Sequence, residues 1–430
     1  MGIMHLSELC AAKHACGNVN HDGVLRAFTK FVGRKSFEDS IAGLIVLALF
    51  NTRQHQATDP RDKVFGMSGL LSAAAKIQGM RLPDIKVDYL KSSEAIFLDV
   101  AKCIFGNTSL LSYLNFVEDL SQRNHPSLPS WVAGLEPAML RLPLIWHGQM
   151  PVEVCFDASN CYSRLHRKAP FTIADTTLRC SGSYIGQVHR VSQPLMFLLN
   201  IHLACTKSDL SKHTDEIAEM VMIAGDTYRT GQCPAEALWR TLVFDTAGSK
   251  HPASQKLGWS FRHWLLSRIY CAHYFKTEGS FSSEYYQNAY QHYDLLARRD
   301  TSGTIPTLEA LEEFSAEAQH DEATAHAQLD QKLEDYLVLA SRCMLGRRFL
   351  TTDNGYMCMG LESTAPGDSV WILDGGPTPF VLRDVENTST KAEEPQARRM
   401  MLVGECYVHG IMHGEALERD GFAWQDIVLV

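Results

Sequence analysis

Apolar residues recur at helical spacing through the first hundred positions. Ile41, Leu44, Ile45, Ala48 and Leu49 fall on one stripe of the most apolar run in the chain, behind a capping-box-like Ser36-Phe37-Glu38-Asp39. Leu25, Phe28 and Phe31 form an earlier stripe that Asp22 can cap. Asp59-Pro60 predicts a third helix start, with Val64, Met67 and Leu71 on its buried side. Ser92 or Ser93 predicts a fourth, carrying Ile96, Val100 and Ile104 and ending at Gly106-Asn107. Pro126, Pro129, Pro137, Pro143 and Pro151 then exclude long helices, and Trp131 and Trp146 are expected to pin this stretch to the core. Residues 171–192 read as extended, being rich in Thr, Val, Ile and Tyr. Helical spacing returns over 214–228, 234–244, 257–277 and 284–298.

The period changes after residue 345. Arg348–Thr352 and Tyr356–Leu361 flank Asp353-Asn354-Gly355, a hairpin signal. Three more short apolar runs follow, at Ser369–Leu373, Phe380–Arg383 and Met400–Val408. The pattern predicts an α+β protein, with a mainly helical body and a small C-terminal β-barrel-like module. The expected units are 1–299, a helical body with an inserted extended segment; 300–345, a polar hinge and helix; and 346–430, the β module.

Composition narrows the choices. The chain has 430 residues, with 40 basic against 49 acidic side chains and no basic stripe, which argues against nucleic acid as a partner. The run Ile41–Phe50 is far shorter than the ~20 residues that span a bilayer, so no membrane span is expected. The twelve cysteines lack C-x-x-C spacing, and the N-terminus lacks a secretory pattern. Reduced, buried cysteines and a cytoplasmic location are the expectation.

Two stretches resemble fungal heterokaryon-incompatibility (HET) proteins. The first is Ala57-Thr58-Asp59-Pro60-Arg61-Asp62-Lys63-Val64-Phe65, followed by Val87-Asp88-Tyr89 and Leu128-Pro129-Ser130-Trp131-Val132. The second runs from Gly346-Arg347-Arg348-Phe349 through Pro366-Gly367-Asp368 and Pro379–Arg383. It ends in Leu402-Val403-Gly404-Glu405-Cys406-Tyr407-Val408-His409-Gly410-Ile411-Met412. Leu238–Leu242 gives a short match between them. The resemblance implies the family's C-terminal region. The signature of the family's N-terminal effector domain is not found, and Ala133-Gly134-Leu135 stands where Pro-Asp-Trp is usual. The implied role is a binding or regulatory module of nonself recognition, acting without the cell-death effector domain.

Candidate chemistry is sparse. Asp59, Arg61, Asp62 and Lys63 read as a capped helix start, with Arg61 pairing with a distant carboxylate. Glu405, Cys406, His409 and His413 put four possible metal ligands within nine residues. Gly410 and Gly414 argue against the helix that a His i, i+4 pair would need, so no metal is expected, and no cofactor. Aromatics are dense between 270 and 293. Trp264, Tyr274 and Tyr285 are the candidate lining of a pocket for an apolar small molecule, with His273, Tyr274 and Tyr285 the candidate catalytic groups. On that alternative the chain is an enzyme of fungal secondary-metabolite biosynthesis. On the leading reading its partner is a protein.

Overall fold

A computed structural model describes residues 41–53, 57–77, 85–135, 141–146, 156–164, 168–194, 227–247, 250–264, 342–385 and 397–430, with isolated positions between them. The helix expected near Asp22, most of those over 214–228, 257–277 and 284–298, and much of the polar stretch 300–330 lie outside the described residues.

Helix α1 (Ile41–Thr52) is apolar nearly all round and correspondingly buried, with Ala42, Leu44, Ile45 and Val46 at 3% exposure or less. It packs against α3 (Ser68–Ile77) and α4 (Ser93–Phe105). The helix expected from Asp59-Pro60 is broken in two, α2 (Asp62–Phe65) and α3, with Gly66 and Met67 between them. Ser92 caps α4 by accepting from Ala95 N. Helix α5 (Pro234–Leu242) opens on proline, where the missing N–H costs no hydrogen bond.

The expectation of a mainly helical body with a small C-terminal β module is overturned. The dominant described unit is one nine-stranded mixed sheet. Its first strands, β1 (Phe171–Ala174) and β2 (Thr177–Val191), come from mid-chain. The rest are β3 (Arg347–Thr352), β4 (Met357–Leu361), β5 (Ser369–Leu373), β6 (Pro379–Asp384), β7 (Arg398–Glu405), β8 (Tyr407–Val408) and β9 (Gln425–Leu429).

Strand β2 is the hub. Along one edge it pairs with β1 and then β5, and along the other with β9 and then β3. The pairings β2–β5–β6–β7–β9–β2 close a ring, with β7 and β9 parallel and every other pair antiparallel. A second path runs β2–β3–β4–β8, and only Cys406 separates β8 from β7. The Cys406 amide donates to Pro379 O at 2.9 Å, which ties this path to β6.

Side chains sort by strand alternation. Ile185, Val188, Leu350, Cys358, Val370, Ile372, Val381 and Val408 form one cluster, the barrel interior. Trp371, Leu373, Phe380, Leu382, Met400 and Leu402 point the other way, into a core shared with α1, α3 and α4. Phe349, Met357, Met359 and Tyr407 pack with α5, Phe244, Phe261 and Trp264. Strands β4 and β5 are therefore buried at every position, being covered on both faces.

Candidate functional site

The Asp59–Lys63 motif makes a surface clamp. Arg61 holds the Asp59 carboxylate through Nε (2.9 Å) and Nη2 (2.7 Å). Its Nη1 donates to Tyr89 O (2.6 Å) and Lys91 O (2.9 Å). The Tyr89 hydroxyl donates to Asp62 Oδ1, and its ring meets Phe65 edge-on at 5.0 Å. Lys63 Nζ reaches Arg53 O at 2.8 Å. Arg61 thus pairs with its near neighbour Asp59 rather than with a distant carboxylate. The motif fastens the segment around Tyr89 to the start of α2.

Beneath it, Arg53 donates to Phe116 O (3.0 Å), Glu118 Oε2 (2.6 Å) and Gly134 O. Glu118 in turn accepts from Gly134 N at 2.9 Å. A Cβ at Gly134 would lie 2.9 Å from Glu118 Oε1, so the close approach of backbone to carboxylate needs glycine there. This accounts for one residue where the sequence departs from the Pro-Asp-Trp pattern.

The four potential metal ligands of the C-terminal motif do not converge. Glu405, fully buried, accepts from Arg141 Nη1 and from Arg347 Nη2 (2.5 Å). Its other oxygen accepts from Asn115 Nδ2 and Leu144 N, both at 2.8 Å. Burial pushes Arg141 down to about 10, against the opposing pull of Glu405, which leaves it charged near neutrality. Cys406 Sγ meets Tyr407 O at 3.4 Å. His409 is bracketed by Gln232 Oε1 at Nε2 (2.8 Å) and by the Tyr407 hydroxyl at Nδ1 (3.0 Å). With the glutamine oxygen as acceptor, Nε2 carries the proton and Nδ1 accepts from tyrosine. Burial drives His409 down to about 4. The His413 ring lies 4.1 Å from that of His251 at a 47° tilt, and burial followed by that neighbour lowers it as well. Among the described residues no group of three or more His, Cys, Asp or Glu side chains is placed to hold a metal ion.

Of the aromatic candidates, Trp264 is buried beside Phe261 (5.6 Å) and Tyr336 (5.9 Å). His273, Tyr274 and Tyr285 lie outside the described residues.

An open groove of about 820 Å³ lies elsewhere, between residues 102–109 at the end of α4 and residues 169–175 along β1. Phe105 and Phe171 belong to its lining and meet at 5.2 Å; behind the groove Phe105 meets the buried Tyr113 at 5.3 Å and Trp131 at 5.8 Å. Trp131 Nε1 donates to Thr176 O at 3.0 Å, which holds the turn of the β1–β2 hairpin. Leu111 N donates to Gly375 O at 2.7 Å and anchors the 102–109 wall to the barrel. Its lining is mixed, with Lys102, Asn107 and Asp175 beside Phe105, Phe171 and Ile173. The sequence signals at this place were the Gly106-Asn107 helix end and the short apolar run after Pro170, neither of which announces a cavity.

The family described as the Het-6 beta-barrel domain matches residues 209–429. The match begins after β2, so the barrel takes its longest strand from outside the matched range. Heterokaryon incompatibility protein 6, OR allele, of Neurospora crassa is 22% identical over 426 residues. That alignment covers 93% of this chain and 56% of the relative, so the chain spans a little over half of the relative's length. No solved structure matches significantly. Among the described residues no helix is long and apolar enough to cross a membrane. With the family match covering just over half of its length, the chain belongs to the fungal heterokaryon-incompatibility proteins that carry the Het-6 beta-barrel domain.

Proposed function

We propose that this chain is a binding module of nonself recognition, acting in heterokaryon incompatibility, the process for which its relative from Neurospora crassa is named. One observation carries the reading. Polar residues of both family motifs are engaged by partners within the chain: Arg61 by Asp59 and two carbonyls at the surface, Glu405 by two arginines and His409 by Tyr407 and Gln232 in the interior. Among the described residues an open groove of mixed polar and apolar lining is left, a form suited to holding a partner. The partner is a protein. The location is the cytoplasm, which suits the buried thiols of Cys161, Cys180, Cys358 and Cys406.

The test is genetic. The full chain is expressed in one of two otherwise compatible Neurospora crassa strains, across a panel of partner genotypes, and heterokaryon growth is scored. Growth should fail with some genotypes and not with others. Equal growth with every partner would overturn the reading.

A further inference from the structure

We propose that the groove binds an extended peptide segment of a partner protein, which adds as a strand to the free edge of β1. The inference rests on the binding-module reading and names the chemistry of the partner.

The argument starts from the hairpin. Ala174 and Thr177 pair across the two-residue turn Asp175-Thr176, and Asp175 has the left-handed φ of 51° that such turns require. The pair flanking a two-residue turn exchanges ladder hydrogen bonds, and alternation gives the same role to Thr172 opposite Arg179. Phe171 and Ile173 are then the positions whose N–H and C=O groups point away from β2. Among the described residues β1 has β2 as its strand partner and no other, and no other backbone bond to Phe171 or Ile173 is present. The edge they form is one wall of the groove, across from residues 102–109.

This geometry selects the occupant. Backbone donors and acceptors at every second residue of a strand are satisfied by another extended chain. Four residues of strand span about 13 Å, enough to register a peptide of similar length. The side chains of Phe171 and Ile173 face the core, so a strand added here continues an existing packed layer. The Phe105–Phe171 pair in the groove's lining lies beside that layer, where an apolar side chain of the peptide would rest. The two-residue turn on one side and the Leu111–Gly375 bond on the other hold the walls in place before any peptide arrives. Such preorganisation lowers the entropic cost of binding.

The experiment uses the full chain and a phage-displayed library of random seven-residue peptides. Selected peptides should slow amide hydrogen exchange at Phe171 and Ile173 on binding. Ile173→Pro removes an outward N–H and leaves the β1–β2 ladder intact, since proline is tolerated on a sheet edge. It should weaken selected peptides by roughly tenfold, the worth of one to two hydrogen bonds. Thr108→Trp fills the groove from the opposite wall without altering β1, and should weaken them by a similar factor. Circular dichroism and melting temperature establish that each variant is folded. If neither folded variant loses affinity, or if no peptide protects the two amides, the proposal is wrong. Protection that grows with protein concentration without peptide would make a second copy the occupant, and overturns it too. Ile173→Pro that abolishes peptide binding yet leaves genotype-dependent heterokaryon failure unchanged would detach the groove from nonself recognition and leave the binding-module reading standing.

Discussion

Glu405 and its two arginines set the terms at the scale of single residues. A buried carboxylate flanked by two guanidiniums is costly to desolvate, and its four donors repay that cost only while all are present. Glu405→Gln keeps the shape and leaves Arg141 and Arg347 buried without a counter-charge. It should lower the unfolding free energy by roughly 3–5 kcal/mol, read from urea melts. His409 gives a pH-dependent counterpart. Its folded value of about 4 lies below the ordinary histidine value of 6.5, so the unfolded chain binds the extra proton between those limits. The stability contributed by neutral His409 is therefore intact above pH 6.5 and is lost as pH falls toward 4. The full loss is on the order of 3 kcal/mol. His409→Gln should flatten the stability profile across that window relative to the native chain. An unchanged slope would place the titrating group elsewhere.

Between elements, glycine positions separate contact from conformational freedom. A Cβ on Gly404 in β7 would lie 2.2 Å from Leu361 Cδ1 of β4, and one on Gly182 in β2 would lie 2.5 Å from Ile427 Cδ1 of β9. At both, a side chain of another strand fills the room a Cβ would need. Gly404→Ala should cost about 1–3 kcal/mol through overpacking, measured by thermal unfolding. Gly69 in α3 meets nothing within 4 Å and lies in a helix, so Gly69→Ala should instead stabilise by about 0.5–1 kcal/mol. The same elements show what was legible in the sequence. Helix α1 could be read because a run with no polar face can only be core. The hairpin at Asp353-Asn354-Gly355 could be read because its turn chemistry is local. Strand β9 was missed: Gln425–Leu429 is five residues long, with no turn signal after it. Strands β4 and β5 show no alternation because both faces are covered, so their pattern could not tell that two separate cores lie outside the barrel. The groove was illegible for a related reason. It arises where the end of α4 and the edge of β1 meet, some seventy residues apart in sequence.

For the molecule as a whole, the consequence of β2 is that the C-terminal strands do not close without it. Residues 346–430 read in sequence as a module, yet β3, β5 and β9 each pair with residues between Leu178 and Val191. The outer faces of β5, β6 and β7 are covered by α1, α3 and α4, and those of β3 and β4 by α5 and Phe244. The Val430 carbonyl accepts from Ser130 N at 2.7 Å, so the last residue is held by the proline-rich segment. A fragment of residues 346–430 would thus expose three strand edges and both outer apolar faces. Its β pairing alone cannot offset the conformational entropy of ordering the chain. Expressed by itself, it should give no cooperative thermal transition and a poorly dispersed amide spectrum, or it should aggregate. A sharp transition and a dispersed spectrum from the isolated fragment would mean that the barrel closes without β2. In that case β2 would dock onto a barrel already formed, and the fold would divide where the sequence pattern changes, near residue 346.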